Sequence, residues 1–255
     1  MKVFAIGLNT FREAVRNKLL YSILFFAFFV VIIAAIFGSA SIGDQMKFIK
    51  DFSLMSISLF GVVIAIVLGV NLLSKELGKR TIYNILSKPV ARWQFIVGKF
   101  AGLFATMVLT ITLMCAGLVG FLAALERQVD WGLVLASGMT LLELMVVIAV
   151  ALLFSAVVVT PTLAGLFTAA VFVAGRSSGY LAYFFRDEFS AALRAVAHAL
   201  YWVLPRLDSF NISDQVVYGK HVDVAYLLTV LAYAVSYSLA LLLVSVALFS
   251  RREFT

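Results

Sequence analysis

The sequence predicts an all-α, polytopic membrane protein: one domain over residues 1–255 with six transmembrane helices. An amphipathic N-terminal helix, a cytoplasmic helical loop and an outer re-entrant or interfacial helical segment complete it. Three observations predict this class. Apolar residues make up 64% of the chain, above the roughly 45–50% of soluble domains. Charged residues make up only 13% and the mean hydropathy is +1.08. The apolar residues also fall in continuous runs rather than in two-residue alternation, which favours helices over the strands of a membrane barrel.

A hydrocarbon core of about 30 Å takes roughly 20 helical residues. The runs Leu19–Gly38, Phe52–Leu73, Leu103–Leu125, Gly132–Val157 and Val224–Phe249 meet that length. Pro161–Gly175 is shorter, so it starts within the preceding "VVVT" or stops partway across. The first run exceeds the roughly 7–15 residues of a signal-peptide core and is read as a span.

Two further segments have helical apolar spacing without the length or hydropathy of a span. In residues 1–18, Phe4, Leu8, Phe11 and Val15 oppose Arg12, Glu13, Arg16 and Asn17, as in a helix lying along a membrane surface. In Tyr180 to Leu204, Phe185, Phe189, Ala192, Val196, Leu200 and Val203 oppose Arg186, Ser190 and Arg194. Breaks at Ser177–Gly179 and Pro205 bound it, and its Tyr and Trp residues suit an interfacial depth.

Basic residues set the expected orientation. Lys2, Arg12, Arg16 and Lys18 precede the first span; Lys75, Lys79, Arg80, Lys88, Arg92 and Lys99 follow the second; Arg251 and Arg252 end the chain. The short loops on the other side hold only Lys47, Lys50 and Arg127, and the long segment 176–223 balances its five basic residues with five acids. Lys and Arg in short loops mark the cytoplasm, so both termini are expected inside. The net charge of +7 then follows from topology and calls for no nucleic acid. Cys115, the only cysteine, reads as a buried apolar thiol.

The stretch "KELGKRTIYNILSKPVARWQFIVGK", Lys75 to Lys99, is the charged island of the chain. Its Gly78-Lys79 pair lacks the glycine-rich approach and the following Ser or Thr of a phosphate loop, and no strand precedes it. No catalytic group, metal site or bound cofactor is read from the chain, and it is not expected to be an enzyme. Glu76, Lys79 and Arg80 form a charged face and Ile82, Ile85 and Leu86 an apolar one, ended by Pro89: either a solvated loop that only sets topology or a short helix that docks in a partner's groove.

The order Glu76, Thr81, Leu86, Ser87, Pro89, Val90, Arg92, Phe95, Gly98 and Lys99 after the second span resembles the signature of type-2 ABC exporter permeases. That pattern reads E-x-E-x-G-T-x-x-x-L-L-S-x-P-V-S-R followed by G-K. "LPRLDSFNISDQVVYG", Leu204 to Gly219, is similar to the end of the outer element in one subgroup. Gly78 and Arg80 depart from the pattern, standing where the family has Glu and Gly, and leave the loop more basic.

The resemblance implies that residues 1–18 are an elbow helix, 74–99 a cytoplasmic coupling loop and 176–223 an extracytoplasmic segment. It implies a separate ABC ATPase subunit that binds ATP and Mg, contacting Glu76, Lys79, Arg80, Thr81, Ile82, Ile85, Leu86, Pro89 and Arg92. A second permease copy, identical or related, is implied, in the cytoplasmic (inner) membrane of a bacterial or archaeal cell. Val158 to Leu163 is a second inner contact under this reading. Export direction follows from the resemblance alone, and no substrate does.

Glu143 is the one charge deep in a span. A carboxylate there is costly and faces protein or water. It either joins its span to a neighbour by hydrogen bonds or lies on a transport route or dimer seam. Two other classes stand beside the permease reading. One is an ion-driven secondary transporter or channel, for which Glu143 would be the ion site. The other is an ATP-powered complex that transmits force to a periplasmic partner through segment 176–223.

Overall fold

The computed structural model describes residues 2–39, 45–78, 91–126, 130–158, 160–185 and 190–251, and within these every regular element is helical. Amphipathic α1 (Lys2–Val15) is followed by α2 (Lys18–Ser39), α3 (Gln45–Gly78), α4 (Arg92–Glu126), α5 (Trp131–Val157) and α6 (Pro161–Arg176). Short α7 (Ser178–Leu181) and a 3-10 turn at Ala182–Phe185 lead on to α8 (Ala191–Val203). A second 3-10 turn at Leu207–Phe210, α9 (Ser213–Val217) and α10 (Val224–Arg251) complete the fold.

Five helices, α2 to α5 and α10, are long and apolar enough to cross a membrane. The sixth apolar run, α6, is 16 residues long and rises about 24 Å, short of a roughly 30 Å core. Pro161 occupies its first turn, where the missing N–H costs nothing. Arg176, at its far end, meets Glu143 in the middle of α5.

α5 is the hub. In its most apolar stretch 72% is buried, against 22% in α2 and in α10, which face outward. Its run from Leu144 to Leu152 packs against Ile57, Ile64 and Leu68 of α3 and against α4 and α10. Large apolar side chains on α2 and α10 are exposed, among them Phe25, Ile36, Leu228 and Leu243. In water such a surface would aggregate; in lipid it costs nothing. Five buried hydroxyls are satisfied on their own helices: Thr106, Thr110, Ser137, Ser155 and Thr168 each donate to the carbonyl four residues back. Cys115 is a buried free thiol.

Asn17 separates α1 from α2, its side-chain oxygen accepting from the Leu19 amide at 3.0 Å. α1 then packs along the first turns of α4 through residues without bulk. A Cβ on Gly102 would collide with the carbonyl oxygen of Gly7, and one on Gly98 would lie 2.8 Å from Ile6 Cβ. The buried face of α1 is therefore Gly7, Thr10 and Ala14, while Phe4 is 74% exposed. The large apolar face that the spacing shows looks outward, and the small residues make the helix contact.

The outer segment is broken rather than one amphipathic helix. Ser190, on the polar face in the sequence pattern, caps α8 by accepting from the Leu193 amide. Three tyrosines of α10 hold the end of α8 and the chain beyond it. Tyr237 donates to the Val203 carbonyl (2.8 Å), Tyr226 donates to the Ser209 carbonyl (2.6 Å), and the Tyr233 hydroxyl accepts from the Arg206 amide (2.9 Å). Tyr237 and Val203 meet well inside α10, so α8 dips to the depth where α6 ends. Gly175 at the end of α6 abuts Pro205 and Leu207, so the two ends of the broken segment meet.

Candidate functional site

Glu143 has 1% of its side chain exposed. Its Oε1 accepts from an Arg176 guanidinium nitrogen at 2.6 Å, and its Oε2 faces the Ser58 hydroxyl at 3.4 Å. The carboxylate therefore joins three helices, α3, α5 and α6. The Arg176 side chain is 30% exposed, so one member of the pair is dry and the other wet.

What wets it is a cavity of about 260 Å³ between α3, α5 and the turn that leads into α9. Glu143, Arg176, Ser58 and Thr140 line its floor, and Asp51, Asn211 and Asp214 its walls. Residues close in sequence to the lining are tied in turn. Lys50 pairs with Asp130 at 3.1 Å, Asp130 also accepts from the Gly132 amide at 2.9 Å, and Ser178 donates to Asp208 at 2.9 Å. A space lined by both polar and apolar groups thus reaches the middle of α5 from one end of the bundle, with an ion pair at its base.

The opposite end gathers α1, the end of α3, the start of α4 and the end of α10. Arg92 donates to the carbonyls of Phe249 (3.0 Å) and Ser250 (2.8 Å), satisfying acceptors that the end of α10 leaves open. The Phe95 and Phe249 rings stack with centroids 5.9 Å apart, and the Lys99 ammonium lies 5.7 Å from the Phe95 centroid although the residue is only 1% exposed. Arg92, read from the sequence as a partner contact, is thus also a helix-to-helix tie. Glu76 belongs to the last turn of α3. Lys79, Arg80, Thr81, Ile82, Ile85, Leu86 and Pro89 lie outside the described residues. Arg186 and Phe189 of the outer pattern do so too.

Sequence reasoning singled out Glu143 and missed Arg176, which it counted among the residues of the outer segment. Two signals point to it in hindsight: a carboxylate alone in lipid demands a cation, and an apolar run too short to span ends at mid-depth on an arginine.

A search among curated proteins finds none that matches the chain. The model of the ABC-2 family of transporter proteins matches residues 14–174, which takes in α2 to α5 and nearly all of α6. The chain belongs to that family and is the membrane-embedded permease subunit of an ABC transporter.

Proposed function

We propose that the chain converts ATP hydrolysis by a separate ATPase subunit into movement of substrate, as a paired exporter permease of the cytoplasmic membrane with both termini inside. The observation that carries this reading is the gathering of α1, α3, α4 and α10 at one end of the bundle. The segment between Gly78 and Arg92 joins the two longest helices there, of 34 and 35 residues. A push on it acts on α3 and α4 directly, and on α10 through the bonds of Arg92 to Phe249 and Ser250. α1, seated on α4 at the glycine contacts, braces the same place.

The test is affinity purification from the native membrane in mild detergent. An ATPase subunit is expected with the tagged chain in about equal amount. Buried apolar anchors of an interface commonly carry about 2 kcal/mol each, so replacing Ile82, Ile85 and Leu86 together with Ser is expected to cut the co-purified ATPase more than tenfold. Undiminished capture would refute the docking role of this segment.

The cavity floored by Glu143 and Arg176 is the outer part of the substrate route in this reading. Supporting it are the charged groups in its lining, Asp51, Glu143, Arg176 and Asp214, and its position opposite the proposed ATPase end. Glu143→Gln is expected to leave assembly intact and to lower the substrate-dependent ATPase rate severalfold. A rate equal to wild type would reduce Glu143 to a tie between helices.

A further inference from the structure

We infer that the groove between α1 and α4 is a binding site for an anionic phospholipid of the leaflet in which α1 lies. The groove has a volume of about 570 Å³ and is walled by Phe4, Leu8 and Phe11 of α1 and by Ala101 and Ala105 of α4. It exists because backbone contact at Gly7 and Gly102 fixes the helix separation while the alanines supply only methyl groups beside it. Phe4 and Leu8 stand over this space exposed, at 74% and 38%.

The charge pattern along the same edge selects the occupant. Phe4, Leu8, Arg12 and Arg16 follow one another four residues apart, so they form one row on the helix surface. The first two border the groove; the two arginines continue the row, both exposed, toward the start of α2, each step turning about 40° farther round the helix from the groove. Glu13, the only acid of α1, falls on the flank away from the groove. An apolar slot running into a pair of cations is complementary to an acyl chain joined to a phosphate-bearing headgroup. A peptide helix would leave the arginines unmatched, and a zwitterionic lipid would offset the phosphate with its own cation. The junction with α2 at Asn17 sets Arg12 and Arg16 near the membrane surface, where headgroups lie.

The experiment uses the full chain in mild detergent, with thermal midpoints read in mixed micelles containing dioleoyl phosphatidylglycerol or dioleoyl phosphatidylcholine. Phosphatidylglycerol is expected to raise the midpoint by about 5–10 °C over phosphatidylcholine, the shift of a ligand at a hundred times its Kd in a chain of this size. Arg12→Gln/Arg16→Gln, which alters only exposed side chains, is expected to abolish that preference. Ala105→Phe, which fills the groove from an exposed position, is expected to do the same without lowering the lipid-free midpoint. An equal rise with both lipids, or a preference that survives in either variant, would overturn the site.

Discussion

Arg176→Met is expected to be among the most damaging single substitutions in this chain, lowering stability by about 3 kcal/mol, the low end for breaking a buried ion pair. The reason is the asymmetry of burial. Removing the guanidinium leaves Glu143, 1% exposed, facing only the Ser58 hydroxyl at 3.4 Å. Removing the carboxylate leaves Arg176 with cavity water around a side chain that is 30% exposed. Glu143→Gln also keeps an amide oxygen for Arg176, and is expected to cost only about 1 kcal/mol. The double variant Glu143→Gln/Arg176→Met should lose less than the sum of the two, because the charge that makes the arginine loss expensive is gone. Thermal midpoints in one detergent settle the order. For this chain length about 3 kcal/mol corresponds to a drop of roughly 6–12 °C. Equal, additive losses would show that the pair contributes nothing as a pair.

Much of the fold was legible because a bilayer enforces simple rules. Continuous apolar length predicts spans, and five of the six runs are helices of spanning length. The short run Pro161–Gly175, counted in the sequence as a sixth span, folds as a helix of 16 residues, shorter than the roughly 20 that a hydrocarbon core takes. The amphipathic N-terminal helix followed from the spacing of Phe4, Leu8, Phe11 and Val15.

What stayed hidden was pairing between distant positions. Periodicity within one helix says nothing about which residue 33 positions away answers Glu143. Nor does it show that Tyr226, Tyr233 and Tyr237, read only as part of a span, each hold a backbone group of the returning outer chain. The direction of packing in α1 was hidden for another reason. In water the large apolar face turns inward, but in lipid it has no cause to, and small residues decide which helices touch. The glycines of α1 and α4 carried that information in the sequence, where glycine in a helix reads first as a weakness.

The glycine contacts lead to the second large effect, in which Gly102→Ala is expected to destabilise and Gly120→Ala to do the opposite. Both glycines lie inside α4, so each replacement gains helix propensity worth about 0.5–1 kcal/mol. At Gly120 a new Cβ meets nothing within 4 Å, and that gain stands alone. At Gly102 the Cβ meets the Gly7 carbonyl oxygen, with Thr10 Cβ at 2.6 Å. A backbone carbonyl cannot change rotamer, so α1 itself must move off α4. Overpacking of this kind costs about 1–3 kcal/mol and exceeds the propensity gain. Gly98→Ala should fall between the two, because its nearest obstacles, Ile6 Cβ and Cγ2 at 2.8 Å, stand farther off than the Gly7 oxygen does at Gly102. Thermal midpoints of the three variants should therefore rank Gly120→Ala above Gly98→Ala above Gly102→Ala, with the last below wild type. Under the proposed coupling role, displacing α1 also loosens the brace on α4, so Gly102→Ala should weaken the dependence of the ATPase rate on substrate while the ATPase subunit still co-purifies. A Gly102→Ala variant as stable as wild type would mean that α1 rides on α4 without the close backbone contact, and the bracing role would go with it.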